Sequence, residues 1–248
     1  MIVFFAYFIE KHDNYVLKSP EKNNVRLLVL IIASDDQPVY PELQKIWRSY
    51  MHSDPEHVVA YFMKGDPYQE DLVKVQDDVI WIKTPESIIP GILNKTILTM
   101  SYMLPVLDEF DYVLRANLSS FYVFPRLLNF LKTCPKNNFY CGSNLMGRYA
   151  SGSGFILSPD IVRLLVKNKD KLLNKKNGYD DVLLGRFITS QGIKVHVHDR
   201  MDFLSKISWR ENSVFSARNI FQFRVKTPKK LRLTDDIFIQ KKLRNIFY

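Results

Sequence analysis

FYCGSNLMGRYASGSGFILSPDIVRLLV, residues 139–166, and GYDDVLLGRFITSQGI, residues 178–193, form the stretch around which the chain is organised. It reads as a strand, a small-residue turn around Ser151-Gly152-Ser153-Gly154, and a short strand from Phe155 to Leu157. Ser158-Pro159-Asp160 then opens a helix, with a capping hydroxyl, a proline at the first helical position and an acid in the first turn. A loop rich in lysine and asparagine follows, and a second helix opens on Asp180-Asp181. Its apolar face is Val182, Leu183, Phe187 and Ile188. Glycines beside a strand let another backbone or a ligand approach closely.

Upstream, Val25 to Ala33 is a continuous apolar run rich in branched residues, the pattern of a central parallel strand buried on both faces. Ser34-Asp35-Asp36 stands at its carboxyl end, where open α/β sheets bind ligands. Ser34 and Asp35 are therefore candidates for a nucleotide base or ribose, with an ordinary polar turn as the alternative. Pro41 to Met51 reads as a helix with Leu43, Ile46, Trp47 and Tyr50 inward. Val58 to Met63, closed by Lys64-Gly65, is a second strand, and Asp77 to Ile82 a third in which Asp78 is a loop hydrogen-bonding residue. Ile88 to Asp108 is a long helical stretch interrupted by Pro90-Gly91 and Pro105. Phe110 to Asn117 is a strand, and Phe124 to Leu131 a helix.

These motifs, in this order, resemble the β-1,3-galactosyltransferase and Fringe family of inverting sugar transferases. The resemblance rests on Tyr140-Cys141-Gly142, on Gly152-Ser153-Gly154-Phe155-Ile156-Leu157-Ser158, and on Asp180-Asp181-Val182-Leu183-Leu184-Gly185. It covers roughly residues 25 to 200. It implies a GT-A-like α/β fold, a mixed sheet with helices on both faces and the donor site at the carboxyl ends of the first strands. Residues 25–248 would make one such domain, behind a leader or ragged segment at residues 1–24. The activity implied is hexosyl transfer from a nucleotide-diphosphate sugar, a UDP-sugar in the first instance, to a glycan or glycoprotein hydroxyl. The second acid of the Asp180-Asp181 pair is the base in the family, so Asp181 removes the acceptor proton while Asp180 caps the helix. Gly152, Ser153, Gly154 and Trp209 fall on the acceptor side, and Lys95 in Asn94-Lys95-Thr96 faces the donor or solvent.

The chain departs from that family at one telling place. GT-A enzymes end the strand at Phe110–Asn117 in Asp-x-Asp, which holds a divalent metal on the donor phosphates. Here the strand ends Arg115-Ala116-Asn117-Leu118-Ser119-Ser120, without a carboxylate. Mn or Mg is poorly served there, since Asn117 and Ser119 are weak neutral ligands and Arg115 repels a cation. Arg and Lys clamps can neutralise a diphosphate instead. Arg115 is one candidate. The other is Phe221 to Lys226, followed by Lys229-Lys230-Leu231-Arg232; its first part reads as a strand with Phe221, Phe223 and Val225 on one face and Gln222, Arg224 and Lys226 on the other. His196 and His198 in the strand Lys194 to His198 are weak metal candidates; satisfied structural histidines are the plainer reading. Met201 to Ser216 reads as a loop and Asp235 to Tyr248 as an amphipathic helix with Ile237, Ile239, Leu243 and Phe247 apolar.

Composition bounds the rest. The chain has 248 residues, is 46% hydrophobic, and carries 35 basic against 26 acidic side chains, a net +9. That is a folded protein drawn to anions, whether nucleic acid, a membrane surface or a sugar-donor diphosphate. No nucleic-acid recognition motif is present, so nucleic acid is not an expected partner. Cys134 and Cys141 make no disulfide framework and read as reduced thiols. The opening run MIVFFAYFI is too short to span a bilayer and is a poor signal peptide. It fits a surface anchor, an added strand or a remnant, which leaves a cytoplasmic or membrane-surface location and peripheral membrane contact as the expectation. A catalytically silent relative that binds sugar or nucleotide is the alternative to an enzyme.

Overall fold

Six consecutive apolar residues, Leu27–Ile32, form β1, and every one is buried. A strand apolar on both faces needs cover on both, and the computed structural model supplies it; it describes residues 24–145, 148–175 and 177–248. The MIVFFAYFI run and all but the last residue of the expected leader lie outside that range. In chain order β1 is followed by α1 (Val39–Arg48), β2 (Val58–Gly65), β3 (Val73–Gln76), β4 (Val79–Ile82) and α2 (Gly91–Met103). Next come β5 (Tyr112–Asn117), β6 (Ser120–Tyr122), α3 (Phe124–Leu131), β7 (Tyr140–Leu145) and β8 (Tyr149–Leu157). The chain continues through α4 (Pro159–Lys167), α5 (Lys169–Leu173), α6 (Asp180–Ser190), β9 (Val195–Val197) and β10 (Met201–Phe203). It finishes with α7 (Glu211–Ser216), β11 (Gln222–Val225) and α8 (Ile237–Phe247).

The main sheet has the order β3-β4-β2-β1-β5-β8-β7-β9, and β10-β11-β6 makes a second, smaller sheet. β1 runs parallel to β2 and β5, whereas β8 runs antiparallel to both β5 and β7. Alternate residues of β1 feed opposite cores, as the strand period demands. Leu27, Val29 and Ile31 join Leu43, Trp47, Ile239 and Leu243 of α1 and α8. Leu28, Leu30 and Ile32 join Leu93, Ile97, Ile161, Leu165, Leu184 and Ile188 of α2, α4 and α6. Helices thus cover both faces of a mixed sheet.

Most expected elements are present, and the differences have physical reasons. Ser151 to Gly154 is not a turn but part of the continuous strand β8. Its glycines serve close packing: a Cβ on Gly154 would lie 1.8 Å from Oη of Tyr122. Tyr122 is itself buried and cannot yield. Gly154→Ala is therefore expected to cost about 1–3 kcal/mol, the usual range for overpacking a core, read as a lowered urea midpoint at unchanged m. Ser158 precedes α4 as anticipated, but its hydroxyl accepts from the Phe139 amide at 2.9 Å rather than capping the helix. Asn-Lys-rich residues 168–175 hold the short helix α5 instead of a plain loop, because Leu172 is buried against the core. Residues 201–216 are likewise not one loop but β10, a 3-10 turn at Lys206–Ser208 and α7. β3 and β6 were not evident in sequence; each is short and completed by its neighbours in the sheet. Cys134 and Cys141 are free, and burial raises both thiols, Cys134 to about 11. Among the described residues no helix is long and apolar enough to cross a membrane.

Candidate active site

β1 and β5 are neighbours in parallel, with Ile32 opposite Asn117, so the segments leaving their carboxyl ends lie side by side. Four groups of polar side chains converge on that edge.

The first comes from β1 itself. Ser34 hydrogen-bonds to Asp36, while Asp35 accepts from Lys64 Nζ at 2.7 Å and from Gln44 Nε2 at 2.9 Å. Burial pushes the Asp35 carboxyl up, but the hydrogen bonds from Lys64 and Gln44 and the Lys64 charge outweigh it and hold the group below its ordinary value. Lys95 is not a solvated helix lysine. It is 1% exposed and donates to the Ala33 carbonyl at 2.9 Å and to Glu86 at 2.6 Å. Burial lowers it, with Glu86 pulling the other way.

The second group links β5, β8 and α6. Arg115 is buried at 2% exposure, pairs with Asp180, and donates to the Gly152 carbonyl. Its guanidinium carbon also sits 5.2 Å from the Phe155 ring centroid, a cation–π contact. Arg115 is thus consumed internally and does not serve as the free diphosphate clamp anticipated for it. The Asp180 carboxylate is turned inward onto Arg115, and burial raises it despite that partner. Asp181, the next residue, points elsewhere. Its Oδ2 accepts from the Gly152 amide at 2.7 Å and its Oδ1 from the Val182 amide at 2.9 Å. A Cβ on Gly152 would fall 2.7 Å from that same Oδ2, so only glycine leaves the carboxylate its place. Asp181 is half-buried, with acceptor capacity left for a further donor.

The third group is the segment after β5. Asn117 donates from Nδ2 to the Gly152 carbonyl at 3.0 Å and accepts from the Ser119 amide with Oδ1. With a paired arginine two residues before it and no carboxylate, this site does not suit a divalent cation. Among the described residues no group of three His, Cys, Asp or Glu side chains is placed to hold a metal. His196 meets Phe139 in a tilted ring contact at 5.0 Å and His198 meets Phe221 likewise at 4.5 Å, with burial lowering His198. His198 is buried, whereas His196 is exposed on β9.

The fourth group arrives from the C-terminal end, positioned by α8. Gln240 donates to the Leu118 carbonyl at 2.9 Å, and Asp236 accepts from the Thr227 amide, the Thr227 hydroxyl and Arg232 Nε. Arg232 then reaches Ser119 Oγ at 3.1 Å and Tyr40 Oη at 3.4 Å. Arg224 contacts Asp202 at 3.5 Å, and Asp202 also holds Arg200. Lys226 is exposed, and its ammonium makes no hydrogen bond or ion pair among the described residues. Burial lowers it, then the nearby Arg224 and Arg232 charges. Gln222 does not share the open side with these cations: it is fully buried and donates toward Ser120 and Ser153. Ser153 is bound by Arg200 at 2.6 Å, and Trp209 packs on Phe203 at 5.3 Å. Ser153, Gly154 and Trp209 are thus occupied by the protein, and only Gly152 meets Asp181.

Arg200 was not singled out in sequence, and Arg232 was named only as the end of the basic run Lys229-Lys230-Leu231-Arg232. Arg200 carries no local signal. For Arg232 there was one, the acid Asp236 four residues on, a spacing that pairs side chains on a helical turn.

No family model matches the sequence, and no curated protein does. Among solved structures the chain is similar to a glycosyltransferase involved in the glycosylation of the major capsid of PBCV-1. The TM-score is 0.50 at 8% identity, over 89% of this chain and 99% of that one. This is a GT-A-like fold. The fold is shared at an identity too low for the sequences to report it. Mouse xyloside xylosyltransferase 1 in its apo form is also similar, with a TM-score of 0.40 and 9% identity over 81% of this chain and 97% of that one.

Proposed function

We propose that the chain is an inverting, metal-independent glycosyltransferase that moves a hexosyl group from a nucleotide-diphosphate sugar, a UDP-sugar in the first instance, to a hydroxyl of a glycan or glycoprotein. The observation that carries this reading is the placement of Asp181. Its carboxylate is fixed by the Gly152 amide beside the carboxyl end of β5, while its neighbour Asp180 is neutralised inside the protein by Arg115. Adjacent acids with divided duties leave one carboxylate available as general base to the attacking hydroxyl. The acceptor oxygen attacks the anomeric carbon as Asp181 takes its proton, and the nucleoside diphosphate leaves with the bonding pair.

The leaving diphosphate needs positive charge. Lys226, Arg224 and Arg232 supply it in this reading, from the segment that lies against Ser119. Fixed cations aimed at developing charge stabilise a leaving group without the reorganisation that water requires. Lys64 with Asp35, and Lys95 beneath the Ala33 carbonyl, shape the nucleoside end.

Thermal melting against nucleoside diphosphates and their sugars tests the donor site, since a ligand of the folded state alone raises the melting temperature by linkage. Stabilisation by one nucleotide sugar is expected to persist in chelator and to fall at least about tenfold in apparent affinity in Lys226→Ala. Stabilisation that appears only with manganese overturns the metal-free mechanism. Stabilisation without turnover makes the chain a nucleotide-binding relative that has lost transfer, a reading favoured by the missing carboxylates after β5.

A further inference from the structure

Exposed apolar side chains scattered singly are ordinary, but a cluster set among cations is not. Of the eleven large apolar side chains exposed among the described residues, five fall between residues 204 and 233. Ile207 is 83% exposed, Leu204 60%, Leu233 50% and Leu231 44%. Residues 204–235 also hold eight cations against two acids, most of the chain's net +9.

The topology brings these residues to one edge. β10 and β11 are parallel, with Phe203 opposite Val225, so the turns that follow them leave the small sheet on the same side. The turns are tied together. Lys206 donates its amide to Asp235 at 3.2 Å, its ammonium sits 4.2 Å from the Phe238 ring, and the Lys226 amide donates to the Phe203 carbonyl at 3.1 Å. Leu204 and Ile207 therefore stand on one turn beside Leu231 and Leu233 on the other, with exposed Lys229 and Lys230 between the strands' ends and the leucines.

We infer that this edge docks on an anionic lipid bilayer. Aliphatic tips interspersed with lysines match a surface whose interior takes the apolar groups and whose headgroups take the charge. A protein partner is the poorer match, because lysine is depleted from protein–protein interfaces and charge from their cores. The same chain segment carries Lys226 and Arg232, so docking would bring the polar edge described above close to the bilayer and to acceptors displayed on it. The inference stands whether or not the chain transfers sugar.

Flotation of the full chain with vesicles tests it. Vesicles of phosphatidylcholine and phosphatidylserine at roughly three to one are expected to bind the chain at least about tenfold more tightly than phosphatidylcholine alone, and high salt should weaken that binding. Two double variants probe the two chemistries separately: Ile207→Ser with Leu231→Ser, and Lys229→Glu with Lys230→Glu. All four side chains are exposed, so melting temperatures should be unchanged while each pair lowers vesicle binding about tenfold or more. No binding to the mixed vesicles overturns the inference. So does binding equal on both vesicle types, or binding that neither double variant weakens, which would place the contact elsewhere on the chain.

Discussion

Asp181→Asn should lower the rate of nucleoside diphosphate release in the presence of acceptor by about 10²–10⁴-fold, the range a positioned general base contributes. The substitution keeps shape and removes only the ability to take a proton. It also leaves one backbone donor short, because an amide has a single acceptor oxygen. The carboxylate serves two amides at once, Gly152 at 2.7 Å and Val182 at 2.9 Å. That loss is worth about 1 kcal/mol of stability, small enough for the variant to fold. The apparent affinity for the donor, read by thermal shift, should hardly move. A variant that keeps its rate to within a factor of a few removes Asp181 from the chemistry.

The largest stability effect is expected at Arg115. Arg115→Met leaves Asp180 buried at 6% exposure with no counter-charge, and the Gly152 carbonyl loses a donor. Breaking one side of a buried ion pair costs about 3–5 kcal/mol, because the remaining charge stays desolvated. The double variant Arg115→Met, Asp180→Leu removes both charges and fills similar volume, so most of that loss should be recovered. Urea unfolding of the two variants separates the possibilities. A single variant that loses under about 1 kcal/mol would mean that the guanidinium is free to serve a ligand, the role first expected of it. Recovery in the double variant without recovery of transfer would show that the pair also orients α6 and with it Asp181.

Why the guanidinium turned inward was beyond sequence reasoning. Arg115 and Asp180 are 65 residues apart and meet only because β5 pairs with β8 and α6 packs on β8. Separation in sequence also hid the role of the glycines. Gly152 and Gly154 looked like a turn because glycine is permissive in backbone angle. Their positions in β8 show the other use of a missing Cβ, room for Asp181 and for Tyr122.

What the sequence determined alone was set by local pattern. The apolar run ending at Ala33 could only be a strand covered on both faces. The spacing of Leu43, Ile46, Trp47 and Tyr50, and of Ile237, Ile239, Leu243 and Phe247, marked helices with one apolar side, and the structure lays both on the same face of the sheet. The ordered motifs from Tyr140 to Gly185 pointed to the GT-A-like arrangement that the structure has. What the tertiary structure decided was the assignment of charge. Arginine and lysine look alike along a chain whether buried or free, because their state depends on which carboxylate the fold delivers to them. Arg115 received Asp180, Lys64 received Asp35 and Arg232 received Asp236, whereas Lys226 received none among the described residues. Ion pairing acts through space over a few ångströms, and only the packing of strands and helices brings those groups that close.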